Sequence, residues 1–261
     1  RNHEWQESMG IFGPNQHPEA IIETGIALTM VNLEGETVPY SWKGGPPPNV
    51  DDPEDKVIQI VNYKADYDPV TIGRFIKSDV YGGELTPYSV FPTWNHWPVA
   101  QMPSDGRYAS FPDRAAHSSL THVRLPDYAV DYGEKPYQEK ILMEGMLNLN
   151  SGQLVSLASS WLNPPCITFI KGCTGKGYDQ SQRAFLVNAL EDNISLTVNA
   201  SAESPLVNPC FVIRNWKPGK TTTVWVDKKI MNPGPDCRQG VIRDTDGSPT
   251  RIVWLKMQAG S

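Results

Sequence analysis

The sequence contains no run of about 18 apolar residues, which excludes a hydrophobic membrane-spanning helix. It has no dense stripe of Lys and Arg, so nucleic acid is not an expected partner. No glycine-rich phosphate loop or βαβ alternation is present, which argues against nucleotide-dependent enzymes. Histidine is scarce: all five lie before residue 123. The four cysteines, Cys166, Cys173, Cys210 and Cys237, all lie beyond them. That separation, and a Cys166/Cys173 spacing matching no common zinc knuckle, speak against a Cys/His zinc site. Free buried thiols are the expectation for the cysteines, with one disulfide as the alternative. No signal-type leader opens the chain, which starts Arg-Asn-His-Glu-Trp and reads as a mature or excised segment. Internal repeats are also absent.

What the sequence does have is proline, glycine and aromatic residues. The 261 residues include 23 Pro and 21 Gly spread along the chain, as in a loop-rich globular protein. At this length a large core can form without staples. Eight Trp and ten Tyr exceed what a core of Val, Ile and Leu calls for, and aromatic rings can stack on sugar faces as well as on one another. Charge divides unevenly: residues 1–150 carry 21 acidic and 11 basic side chains, and residues 151–261 carry 8 and 12. The basic excess of the second part, including Lys217, Lys220, Lys228 and Lys229, reads by default as a solvated face.

Strand signals dominate. Residues 21–31 are rich in β-formers, and Lys56–Asn62 alternates with period two. The pattern resumes at 139–148, 183–190, 194–199, 210–216, 221–227 and 251–256. Leu190–Ile194 and Pro218-Gly219 read as hairpin turns. One short helix is expected over Ser151–Trp161, ended by Asn163-Pro164-Pro165 because the residue before proline avoids helical geometry. Strands at this spacing predict an all-β fold: a single large antiparallel β-sandwich over residues 1–261, with long loops and at most one or two short helices.

Two stretches read as neither strand nor helix: the proline-rich Trp42–Pro53, and residues 91–126. Within the latter, residues 94–122 hold two Trp, three His, two Arg, two Asp and a Tyr. Irregular stretches of that length are uncommon in compact domains and are usually functional or disordered; aromatic content favours function. Trp94 and Trp97 would face opposite sides of a strand, so they line one cleft only if the backbone turns; otherwise they are core residues. His96 between them reads either as a packed core histidine or as a general acid/base kept near neutral pKa by partial burial. His117 and His122, five apart, fall on opposite faces of a regular strand and make a poor metal pair. No cofactor is expected, with a structural divalent metal held by histidines as the lesser alternative. Arg107 either structures the Ser104-Asp105-Gly106 turn or pairs with a substrate carboxylate through its planar fork. Tyr108 is a candidate proton donor or base, and Arg114 either a local partner of Asp113 or a substrate contact.

This inventory suits β-elimination on a uronic acid. The reaction needs a cation or amide to neutralise the carboxylate, a base to take the neighbouring proton, and an acid for the leaving oxygen. Asn95, His96, Arg107, Tyr108 and His117 include all these types, with Trp94, Trp97 and Arg114 for substrate binding. Hydrolysis would need two placed carboxylates, and Asp105 and Asp113 are the only acidic residues in the segment.

The segment, with Ala202–Trp216 and the opening EWQESMGIFGPNQHPEAIIETG, resembles the β-sandwich portions (super-sandwich type) of bacterial polysaccharide lyases that join a helical toroid to a sandwich. The resemblance implies a secreted or periplasmic protein acting on uronic-acid polysaccharide. It also implies a toroid partner domain of the same parent protein, and His96, Asn95 and Tyr108 as contributions to a cleft shared with it. No helical toroid lies in this chain. A non-catalytic carbohydrate-binding or scaffold module is the first alternative, and a glycoside hydrolase the second.

Overall fold

The computed structural model describes residues 5–14, 22–41, 56–73, 93–94, 115–124, 142–216 and 222–260; of residues 5–14, 56, 93–94, 115–124 and 142 it describes the backbone alone. The fold is all-β and sandwich-like, with one helix among the described residues. Residues 1–155 and 156–261 form two compact units.

The first unit contains β1 (Trp5–Pro14), β2 (Leu28–Asn32), β3 (Thr37–Tyr40), β4 (Lys56–Val61), β5 (Asp68–Gly73), β6 (Thr93–Trp94), β7 (Ala115–Arg124) and β8 (Leu142–Leu147). Five of these form an antiparallel sheet in the order β3-β2-β4-β5-β8, and three form a second in the order β1-β7-β6. The alternation in Lys56–Asn62 yields β4 as expected. In β2, β4 and β5 nearly every residue is buried, so both faces of these strands are covered. Val31, Ile58 and Ile72 line one face, while Met30, Gln59 and Thr71 line the other. The stretch 21–31 is not one long strand: Ile22 makes an isolated bridge to Tyr63, and β2 begins only at Leu28, after a bend at Thr24-Gly25-Ile26.

Helix α1 (Ser151–Leu162) matches its expected position. Its start is a reciprocal cap: the Gln153 backbone N–H donates to Asn150 Oδ1 (3.0 Å), and the Asn150 N–H donates to Gln153 Oε1 (3.1 Å). Leu154, Leu157, Ala158, Trp161 and Leu162, at the i, i+3, i+4, i+7, i+8 spacing of one helical face, are buried. The Trp161 indole donates to the Gln180 carbonyl (2.9 Å), and the Val207 N–H donates to the buried Ser160 hydroxyl (3.1 Å).

The second unit contains β9 (Cys166–Lys171), β10 (Cys173–Asp179), β11 (Ala184–Ala189), β12 (Ser195–Asn199), β13 (Leu206–Val207), β14 (Cys210–Arg214), β15 (Val224–Val226), β16 (Lys229–Met231), β17 (Cys237–Arg243), β18 (Pro249–Leu255) and β19 (Gln258–Ala259). A five-stranded sheet runs β10-β11-β14-β18-β17, and three two-stranded pairs, β9/β12, β13/β19 and β15/β16, accompany it. Phe185, Val187, Phe211, Ile213, Val253 and Leu255 on one face of the large sheet form the buried core. Ile167, Phe169, Leu196 and Val198 of β9/β12, with Val224, Val226 and Met231 of β15/β16, pack against it. Alternating inward residues from two layers are what a sandwich requires.

Four expectations need correction. Leu190–Ile194 does turn, but β11 and β12 do not pair with each other: β11 pairs with β10 and β14, and β12 with β9, so the turn carries the chain from one layer to the other. Strands β14 and β15, either side of Pro218-Gly219, likewise belong to different sheets; that dipeptide lies outside the described residues. The β11/β14 pairing is parallel, because β12 in the other layer intervenes in the chain. All other named pairings are antiparallel. Within residues 91–126, read as lacking regular structure, β6 and β7 are strands. The loop Trp42–Pro53 lies outside the described residues.

All four cysteines are free, Cys173 and Cys237 buried, Cys210 half-buried and Cys166 exposed. Burial pushes the Cys173 and Cys210 thiols up, which keeps them protonated and unreactive near neutral pH.

Candidate functional site

Three of the residues considered from sequence, Trp94, His117 and His122, fall on strands of the three-stranded sheet. Trp94 lies in β6 opposite Ser118 of β7, and His117 lies in β7 opposite Phe12 of β1. The sheet therefore brings the backbone at Trp94 alongside the strand that carries His117. His122 pairs with Glu7. Register irregularities fall between Glu7 and Met9 and between Met9 and Gly10, where β1 pairs with the stretch of β7 from His117 to His122. Asn95, His96, Trp97, Arg107, Tyr108 and Arg114 lie outside the described residues. Among the described residues no group of three or more His, Cys, Asp or Glu is placed to hold a metal ion. No helix among them is long and apolar enough to cross a membrane.

The second unit presents an outward aromatic site that the strand pattern implied but did not single out. In the β15/β16 hairpin, Val224 and Val226 point into the core, so Trp225 between them points out. Its cross-strand partner is Ile230. Trp225 is 59% exposed and Ile230 51% exposed, an apolar pair facing solvent. The turn between the strands is Asp227-Lys228, with φ of 46° and 68°. Two consecutive left-handed residues are the signature of a type I′ turn, normally filled by Asn-Gly. Holding a lysine in that conformation costs on the order of 1 kcal/mol relative to glycine. The sequence cue was a tryptophan at the outward phase of Thr-Val-Trp-Val, followed by Asp-Lys.

Other aromatic and cationic groups pair within the sheet. The Arg238 guanidinium lies 5.0 Å from the centre of the Trp254 ring, and Arg251 5.8 Å from that of Trp216. Arg238 and Trp254 are cross-strand partners on β17 and β18, so the pair caps the face opposite the core. Tyr178 packs edge-on to Phe185, and burial, with smaller contributions from neighbouring charges, pushes its phenol up to about 12. That leaves it protonated, a structural group and not a base.

In the first unit, Gln59 and Thr71 are cross-strand partners, both fully buried. Among the described residues, the Gln59 amide and the Thr71 hydroxyl have no hydrogen-bond partner. An unpaired buried amide is destabilising by the desolvation of its polar atoms. Replacing Gln59 by Met, which keeps its volume and removes those atoms, is expected to raise stability by about 1 kcal/mol. A lower urea midpoint for Gln59→Met than for the parent chain would contradict this.

No family model, no curated protein and no solved structure matches this chain.

Proposed function

We propose that this chain is a carbohydrate-handling β-sandwich that contributes to β-elimination cleavage of uronic-acid-containing polysaccharide outside the cytoplasm, alongside a toroid domain of the same parent protein. The observation that carries the reading is the composition of residues 94–122, anchored at both ends in one sheet. β6 holds Trp94 and β7 holds His117 and His122 on neighbouring strands. In this scheme Arg107 and Asn95 neutralise the substrate carboxylate, His96 takes the proton beside it, and Tyr108 or His117 protonates the leaving oxygen. Trp94, Trp97 and Arg114 hold the sugar.

His96→Ala is expected to lower turnover of polyuronate by about a hundredfold or more, read as ultraviolet absorbance of the unsaturated product. Turnover surviving within about threefold, under about 1 kcal/mol of transition-state stabilisation, would make His96 a packing residue. Absence of product with the unsubstituted parent protein would sink the elimination reading altogether. A second reading, a module that binds glycan without cleaving it, is favoured by the outward Trp225.

A further inference from the structure

We infer that the β15/β16 hairpin is a binding site for an acidic polysaccharide, separate in sequence from residues 94–122. The inference rests on the proposed ligand class but not on the proposed chemistry. Three observations converge. Trp225 and Ile230, cross-strand partners, place an indole and an aliphatic side chain side by side on the solvent face of a hairpin whose other face is fixed in the core through Val224, Val226 and Met231. A tryptophan held rigidly from behind loses little freedom on binding and offers a flat apolar face to a sugar ring.

The surrounding charge has the sign that an acidic glycan complements. In the hairpin itself Lys228 and Lys229 stand against the single Asp227. Residues 156–261 as a whole carry 12 basic and 8 acidic side chains, whereas residues 1–155 carry 11 basic and 21 acidic. A polyanion is therefore attracted to the unit that bears the hairpin and repelled by the other. Lys228 occupies a left-handed position that glycine would fill without strain. This puts a lysine at the hairpin tip, three residues along the chain from Trp225. Stacking on Trp225 with a carboxylate at Lys228 is the recognition this arrangement offers, and it requires a uronate or similarly acidic sugar.

The test uses the full chain. Retention is measured by affinity electrophoresis in gels containing polygalacturonate, alginate or neutral dextran, and by sedimentation with vesicles containing phosphatidylserine. The expected result is retention by at least one acidic polymer, little by dextran, and weakening with added salt as surface charges are screened. Trp225→Ala should weaken retention about tenfold or more, and Trp225→Phe should recover part of it. Lys228→Gly should weaken it about threefold while leaving the melting temperature unchanged or higher, which separates binding from folding. Equal retention by dextran, preferential binding to the vesicles, or retention by Trp225→Ala within about twofold of the parent would each overturn the inference. If the parent chain is not retained by any acidic polymer, the inference also fails. The elimination assay on the same samples reports independently on the proposed chemistry: retention without unsaturated product supports the hairpin and removes the lyase reading, and product without retention does the reverse.

Discussion

Phe185→Ala is expected to destabilise the second unit by about 4 kcal/mol, within the range of roughly 3–5 kcal/mol found for deleting a buried phenylalanine ring. Phe185 is 1% exposed and is the second residue of β11. Its cross-strand partners are Tyr178 on β10 and Phe211 on β14. The Phe185 and Phe211 rings are stacked, with centroids 5.4 Å apart at 23°, and Tyr178 meets Phe185 edge-on at 5.1 Å and 68°. One ring thus joins three adjacent strands. Its loss leaves a cavity whose walls are two other rings held by their own ladders, and so poorly placed to collapse. At about 1–3 kcal/mol per molar urea, a loss of this size moves the unfolding midpoint by more than about 1 M. A shift corresponding to less than about 1 kcal/mol would show that the core relaxes around the gap. Phe185→Leu, which refills most of the volume, should cost markedly less.

The consequence reaches the surface. Val224, Val226 and Met231 of the hairpin pack on the same core as Phe185. The orientation of Trp225 therefore depends on a residue in a different sheet. Phe185→Ala is expected to lose glycan retention together with secondary structure, whereas Trp225→Ala loses retention alone. Circular dichroism alongside retention separates the two.

How far the fold was legible depended on where a strand's information lies. Arg183–Leu190 and Lys56–Asn62 announced β11 and β4 because alternation of β-branched and aromatic residues is written within the strand itself. Helix α1 was legible from its apolar spacing and the prolines behind it. Ala115–Arg124 was not legible as β7, because Ala-Ala-His-Ser-Ser carries no alternation; the strand is specified by its ladder with β1, more than a hundred residues distant. Cys237–Arg243, which includes Gly240, was missed for a related reason: β17 is an edge strand, exposed over most of its length, and needs no buried stripe. The turn at Leu190–Ile194 was visible, but its role was not. Asp and Asn declare that the chain bends, while only the pairing partners of β11 and β12 decide between a hairpin and a crossing between layers. For the candidate site, residue types gave a chemistry and no geometry. The register irregularities between β1 and β7 near His117 and His122 are marked by no local sequence feature. Trp225, by contrast, was readable from its own strand, since two inward valines fix the phase of the tryptophan between them.

The close approach of the two layers governs the effect of adding a single carbon at Gly175. Gly175 sits in β10 beside a register irregularity, paired with Val187 and followed by the extra residue Lys176. A Cβ built there would overlap the Leu186 carbonyl oxygen and Cζ of the Phe169 ring, both nearer than real Cβ atoms approach their neighbours. The two obstacles differ in kind. Phe169 belongs to β9 in the opposite layer and could swing, but only by giving up its own place against the core. The Leu186 oxygen is backbone of the adjoining strand and moves only if the β10/β11 ladder opens. Gly175→Ala is therefore expected to cost about 3 kcal/mol, at the upper end for overpacking. Gly240→Ala on β17 is the matched comparison: nothing lies within 4 Å of the Cβ position there. That change is expected to be neutral or to stabilise by a few tenths of a kcal/mol, roughly the gain from a less flexible unfolded chain. Equal urea midpoints for the two variants would mean that Phe169 and the bulge adjust freely, and that the close approach of the layers at Gly175 does not help to hold them in register.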